Sequence, residues 1–161
     1  MRLGRAIGMA VALGLAAPAM AATVSAKKPE TLVEALKAAG YEVVAGTDDT
    51  GDPVLDLVMQ GYKARLLFLD CDEAHDKCGS LQFFSSFDAE GPGLSAGDAV
   101  RFAGRYRYGA VTLNASGDPT LRWDVETGDG IPREVFVTAA ARFLGTVQAL
   151  GATVFPKVAG Q

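Results

Sequence analysis

Between Glu42 and Phe87 the chain carries four strand-like runs joined by connections too short to cross a sheet from one edge to the other. The runs are Glu42 to Thr47, Pro53 to Gln60, Tyr62 to Asp70 and Ser80 to Phe87. They are punctuated by Asp48-Asp49-Thr50-Gly51-Asp52, by Gly61 and by a cysteine-bounded loop, the residue types that end strands and make turns. Parallel neighbours need a crossover of about a dozen residues or more, so these strands pair antiparallel.

Helical periods flank this block. Pro29 to Ala39 has proline in its first turn, Glu30 near the positive end, apolar Leu32, Leu36 and Ala39, and Gly40 as its stop. Ser95 reads as an N-cap with Asp98 completing a capping box, followed by Ala96, Ala99, Val100 and Ala103 at helical spacing. Gly109 to Leu113 and Pro119 to Glu126 are two further strands. In the second, Leu121, Trp123 and Val125 alternate with Arg122, Asp124 and Glu126, the pattern of a sheet with one dry and one wet face. Pro132 opens a last helix running to about Phe155. The order α-β-β-β-β-α-β-β-α predicts an α+β fold, an antiparallel sheet of about six strands with helices on one side. Strands do not alternate with helices, which excludes a Rossmann arrangement. Gly51-Asp52-Pro53 recurs as Gly117-Asp118-Pro119, 66 residues later and again between two strands that follow a helix. This is a weak internal repeat in ordinary turn chemistry.

The first residues belong to a different class. Arg2 and Arg5 precede an uncharged run from Ala6 to Ala17 and then Ala19-Met20-Ala21, the three-part layout of a secretory signal peptide with cleavage after Ala21. The run is short of the roughly 20 residues a bilayer span needs, and no cysteine directly follows the cleavage point to carry a lipid. Residues 1–21 are therefore read as a leader, and residues 22–161 as a single domain. The chain has 161 residues and is 49% apolar, enough for a core without metal or partner. Loss of Arg2 and Arg5 leaves 13 basic against 19 acidic residues, a net charge of −6. A nucleic-acid backbone would be repelled. The expected location is the periplasm or the exterior, where thiols pair.

The densest set of reactive groups is Cys71-Asp72-Glu73-Ala74-His75-Asp76-Lys77-Cys78. A disulfide would close it with roughly 2.5 kcal/mol of stabilisation in the chain-entropy model. A metal site would have two thiolates, an imidazole and carboxylates, but paired zinc cysteines are usually spaced by two to four residues. The disulfide is preferred, and the metal reading stays open. Cys-x-x-Cys is absent, and with it the signature of thioredoxin-like chemistry.

His75 is the only histidine, and a lone histidine in a polar loop is usually solvated. Gly93-Leu94-Ser95-Ala96-Gly97 has the lettering of a nucleophile elbow, yet it lacks a preceding strand and a following histidine, so a helix cap explains Ser95 better. The glycines from Gly91 lack the βαβ unit of a dinucleotide site. Asp48, Asp49 and Asp52 do not match a calcium loop. No cofactor and no bound metal are expected.

Two surfaces remain. Lys63, Arg65, Gln82, Arg122 and Asp124 oppose the core parity of Tyr62, Leu66, Phe68, Leu81, Phe83, Leu121 and Trp123, and mark a candidate binding face of the sheet. Arg101, Arg105 and Arg107, interleaved with Phe102, Tyr106 and Tyr108, suit the carbonyl end of a helix, and with Tyr106 they form a candidate anion patch. The last helix carries only Arg142 as a charge between Val135 and Phe155. A central arginine disfavours a membrane span. Burial against the sheet on one side and against a second copy on the other is expected, giving a homodimer through this helix.

Gly61-Tyr62-Lys63, the Cys71 to Cys78 hairpin running into Ser80-Leu81-Gln82-Phe83, and Thr31-Leu32-Val33 to Gly40-Tyr41 together resemble the secreted branch of the YbjN-domain family of bacterial sensory transduction regulators. The resemblance runs from about Thr23 to Phe155. It implies a fold similar to type III secretion chaperones, small α+β proteins that dimerise and bind polypeptide, and it carries over no catalytic residue. The last helix departs from the pattern in its richness in Ala and Gly. The expected function is a non-catalytic, exported regulatory or interaction module. It would bind protein or peptide in the envelope in a chaperone-like way, through the polar sheet face or the last helix. The alternatives are a hydrolase or metal-dependent enzyme centred on the cysteine loop, and a small-anion sensor at the arginine cluster.

Overall fold

A computed structural model describes residues 22–88 and 93–155. The leader, its cleavage point and Gly91 and Pro92 of the Gly91 to Ser95 loop lie outside the described residues. The elements are β1 (Thr23–Val24), α1 (Pro29–Ala38), β2 (Glu42–Thr47), β3 (Pro53–Met59), β4 (Tyr62–Leu69), β5 (Ser80–Ser86), α2 (Ala96–Arg105), β6 (Ala110–Leu113), β7 (Pro119–Glu126), β8 (Ile131–Pro132) and α3 (Arg133–Val154). β2 to β7 form one antiparallel sheet in the order β2-β3-β4-β5-β7-β6. The α+β class and the helix order are those read from the sequence. β1 and β8 pair as a small separate ribbon, which two-residue strands without a period could not announce.

Local chemistry sets the ends of the helices. α1 starts with Pro29 and stops in a Schellman arrangement: Gly40, at φ +86°, donates to the Lys37 carbonyl, and the Tyr41 N–H reaches the Leu36 carbonyl. Ser95 caps α2 by accepting from the Asp98 N–H at 3.1 Å. Pro132 proves to be the residue before α3 rather than its first turn.

The core lies between one face of the sheet and α1 with α3. Leu66, Phe68, Leu81, Phe83 and Leu121 face inward and are fully buried, together with Leu32, Leu36, Phe136, Phe143 and Leu150 from the helices. Phe83 stacks on Phe136 at 5.8 Å and on Phe143 at 5.1 Å, so the middle of the sheet is tied to the middle of α3. Part of the glycine and alanine content of α3 has a local cause. Ala140 is buried, and a Cβ on Gly151 would stand 3.1 Å from the Tyr62 ring and 3.2 Å from Phe87.

The two Gly-Asp-Pro turns share one construction. Asp48 and Asn114, 66 residues apart, each accept from two backbone N–H groups through Oδ1: Asp48 from Thr50 and Asp52, Asn114 from Ser116 and Asp118. Gly51 and Gly117 follow at φ +97° and +84°. The first hairpin, β2-β3, fills one edge of the sheet, and the second, β6-β7, fills the other. The internal repeat is thus a pseudo-two-fold arrangement about β4 and β5.

Candidate functional site

The cysteine loop is closed by a Cys71–Cys78 disulfide, with Cys78 fully buried. Both sulfurs are therefore committed to each other, whereas the metal or hydrolase reading needs them as thiolates. Among the described residues no group of three or more His, Cys, Asp or Glu side chains is placed to hold a metal ion. His75 sits at φ +58° and its Nδ1 lies 2.6 Å from Asp52 Oδ1, with the ring against Gly51. The loop is thereby docked on the β2–β3 turn.

The predicted polar face exists as a face, but four of its five members are engaged with neighbouring side chains. Arg65 donates to Asp56 at 2.9 Å, Gln82 donates to Asp124 at 2.6 Å, and the Arg122 guanidinium lies 5.7 Å from the centroid of Phe84. Only Lys63, opposite Val58, has none of these attachments. Such exposed pairs contribute little to stability, yet they leave few groups free to receive a ligand.

The arginine cluster is divided by the structure. Arg101 pairs with Asp98 in the next helical turn back. The Ser95 hydroxyl first, and Arg101 second, hold the Asp98 carboxyl below its ordinary range. Arg105 closes α2, and Tyr106 stacks on Phe102 at 4.3 Å. Arg107 donates to the Tyr108 hydroxyl and lies over that ring. Arg105, Tyr106 and Arg107 line a hollow of about 510 Å³ with Arg142, which the sequence left as an isolated charge in an apolar helix. Among the described residues Arg105 and Arg142 form no ion pair.

Tyr108, Trp123 and Arg142 also wall a second hollow of about 480 Å³, whose remaining sides include Val125, Val135 and Ala139. The two spaces adjoin at Tyr108, Trp123 and Arg142, which line both, and the groove they make lies between the second half of β7 and α3, from Glu134 to Thr146 along the helix. Tyr108 and Trp123 meet at the junction of the two spaces, ring centroids 5.3 Å apart. Tyr108 is 60% exposed and Val135 54%, large apolar surface left in water.

The groove opens because β6 is short. β2 has six residues against β3, but β6 pairs with β7 only from Pro119 to Arg122. At the offset of the repeat, Glu42 of β2 falls on Tyr108. Glu42 is an ordinary strand residue paired with Val58, whereas Tyr108 has φ +71° and turns the chain away, a conformation that is uncommon for a bulky residue. Trp123 to Glu126 consequently have β5 as their sole strand neighbour among the described residues. Sequence parity placed Trp123 in the core, where it is 6% exposed, but could not foresee the vacant lane at its edge. Comparing the two halves of the repeat, Glu42 against Tyr108, was the only available hint.

The YbjN family, described as a putative bacterial sensory transduction regulator, matches residues 28–159. The chain belongs to the YbjN family. No curated protein matches it significantly. The YbjN match spans both hairpins of the repeat, the cysteine loop and the whole groove. The family description is that of a regulator, which accords with a regulatory module.

Proposed function

We propose that the protein is an exported regulatory module without catalytic activity, which works by holding an extended segment of polypeptide in the vacant lane beside β7. One observation carries this reading: a stretch of strand edge, Trp123 to Glu126, lies open directly beside an apolar groove. An open edge offers unpaired N–H and C=O groups to another chain. Strand addition of this kind takes affinity from main-chain bonds and selectivity from side-chain pockets. The groove supplies such a pocket in Val125, Val135 and Ala139, with Trp123 at its floor. The leader-like sequence before Ala22 and the disulfide both favour work outside the cytoplasm. Holding an extended segment would be chaperone-like in its mechanics.

Trp123 is the only tryptophan, so its fluorescence reports directly on the groove. Titration with a degenerate pool of short peptides, alternating aliphatic and polar residues, should shift its emission saturably. Val135→Arg should abolish the shift while leaving the melting temperature unchanged. A folded protein that gives no response to any such pool rules the reading out. The export component is tested separately by N-terminal sequencing of native protein from the cell envelope, with Ala22 expected first and an intact Met1 counting against it.

A further inference from the structure

The vacant lane is blind at one end, and we infer from this that the segment it receives is the C-terminal end of a polypeptide, its carboxylate held by Arg105, Arg107 and Arg142. The inference rests on the polypeptide reading above and narrows it to one chemical feature. Every strand pair of the sheet is antiparallel. A segment added antiparallel to β7 enters at Glu126 and travels towards Trp123, in the direction of β6 and in line with it. At Trp123 its path is closed, because Tyr108 and Gly109 turn in there to start β6 at Ala110. An internal stretch of chain would have to bend out at that point. A chain end simply stops.

Charge at the two ends of the groove gives the same polarity. The blind end carries the three arginines, none of them in an ion pair among the described residues, in a domain whose net charge after residue 21 is −6. Guanidinium groups are suited to carboxylates through parallel N–H donors. The open end is acidic, with Asp124, Glu126 and Glu134 along its rim. The complementary ligand therefore has a basic residue upstream, an apolar residue against Val125 and Val135, and a free carboxylate beside Tyr108.

The test uses the processed, disulfide-intact protein and two peptide pools of identical composition: a basic residue, alternating aliphatic and polar positions, and an aliphatic last residue. One pool ends in a free carboxylate and the other in an amide. The free acid should bind at least about ten-fold more tightly by Trp123 fluorescence, the size expected when a charge-assisted hydrogen bond is lost. Arg142→Gln and, separately, Arg105→Gln should weaken the acid pool while leaving the amide pool unchanged, which isolates the carboxylate contact as a coupling. Equal binding of both pools would overturn the carboxylate inference and leave polypeptide binding standing. Equal loss for both pools in the arginine variants would also overturn it. Binding of neither pool to the folded protein would remove both readings. Self-association of the protein that competes with the acid pool would assign the groove to a second copy and overturn the inference.

Discussion

At the residue scale the strongest constraints are backbone ones. Gly93 lies at φ +65°, and a Cβ there would come within 2.5 Å of the Gly117 carbonyl oxygen, while its neighbour Leu94 donates to that same oxygen at 2.9 Å. This close approach joins the entry of α2 to the β6–β7 turn. Gly93→Ala should lower the chemical denaturation midpoint, with about 1–2 kcal/mol from the left-handed backbone alone and more from the clash. Asp48 is informative in another way. Its carboxyl is held below the ordinary range, first by the Thr50 hydroxyl and then by backbone N–H groups of the turn. A carboxyl lowered on folding contributes fully above its unfolded value of about 3.9 and loses that contribution as pH falls through the lower folded value. The melting temperature should therefore drop on acidification below that range, and Asp48→Asn should show a shallower drop. Glycine and aspartate at a turn were legible in the sequence. The contact between Gly93 and Gly117 was not, because it joins two loops distant in the chain.

At the element scale the sequence was most informative where a period was long enough to count. β7 occupies Pro119–Glu126 as read, and the other main strands differ from their predicted spans by a residue or less at each end. β1 and β8 were missed because two residues define no period. The cysteine loop was legible as chemistry, and the structure adds its docking on the β2–β3 turn through His75 and Asp52. Cys71→Ala with Cys78→Ala should cost about 2–4 kcal/mol, the usual range for a native disulfide. Denaturant melts of the oxidised and reduced wild type should differ by a similar amount, and the oxidised protein should show no free thiol. A smaller effect would mean that docking, rather than the covalent link, holds the loop. α3 offers a contrasting case. Phe143→Ala removes one of the two rings packed on Phe83 and should cost about 3–5 kcal/mol.

At the scale of the whole molecule, two similar hairpins flank a central pair of strands, and the groove lies where their symmetry fails. The β2 edge is complete along β3, whereas the β6 edge stops short and exposes the groove. A repeat of one short triplet suggested the symmetry, but its failure depends on the φ of Tyr108 and on which elements flank it, neither of which is written in composition or period. The same scale governs association. α3 was expected to present a second apolar side to another copy, yet its outward positions include Thr138, Ala141, Gly145, Ala152 and Thr153, and Val135 is its one large apolar side chain more than half exposed. Small side chains on one helix face bury little area, and a stable interface needs about 1,200–2,000 Å² in total. Light scattering at micromolar concentration should therefore give the mass of a single chain, with a dimer through α3 appearing only on strong concentration. A stable dimer at micromolar concentration would contradict this, and two variants would then locate its interface. Ala141→Arg would dissociate a dimer built on α3. Val44→Arg would dissociate one built on the β2 edge, where Val44 is 67% exposed, because two copies joined there would continue one sheet through both molecules.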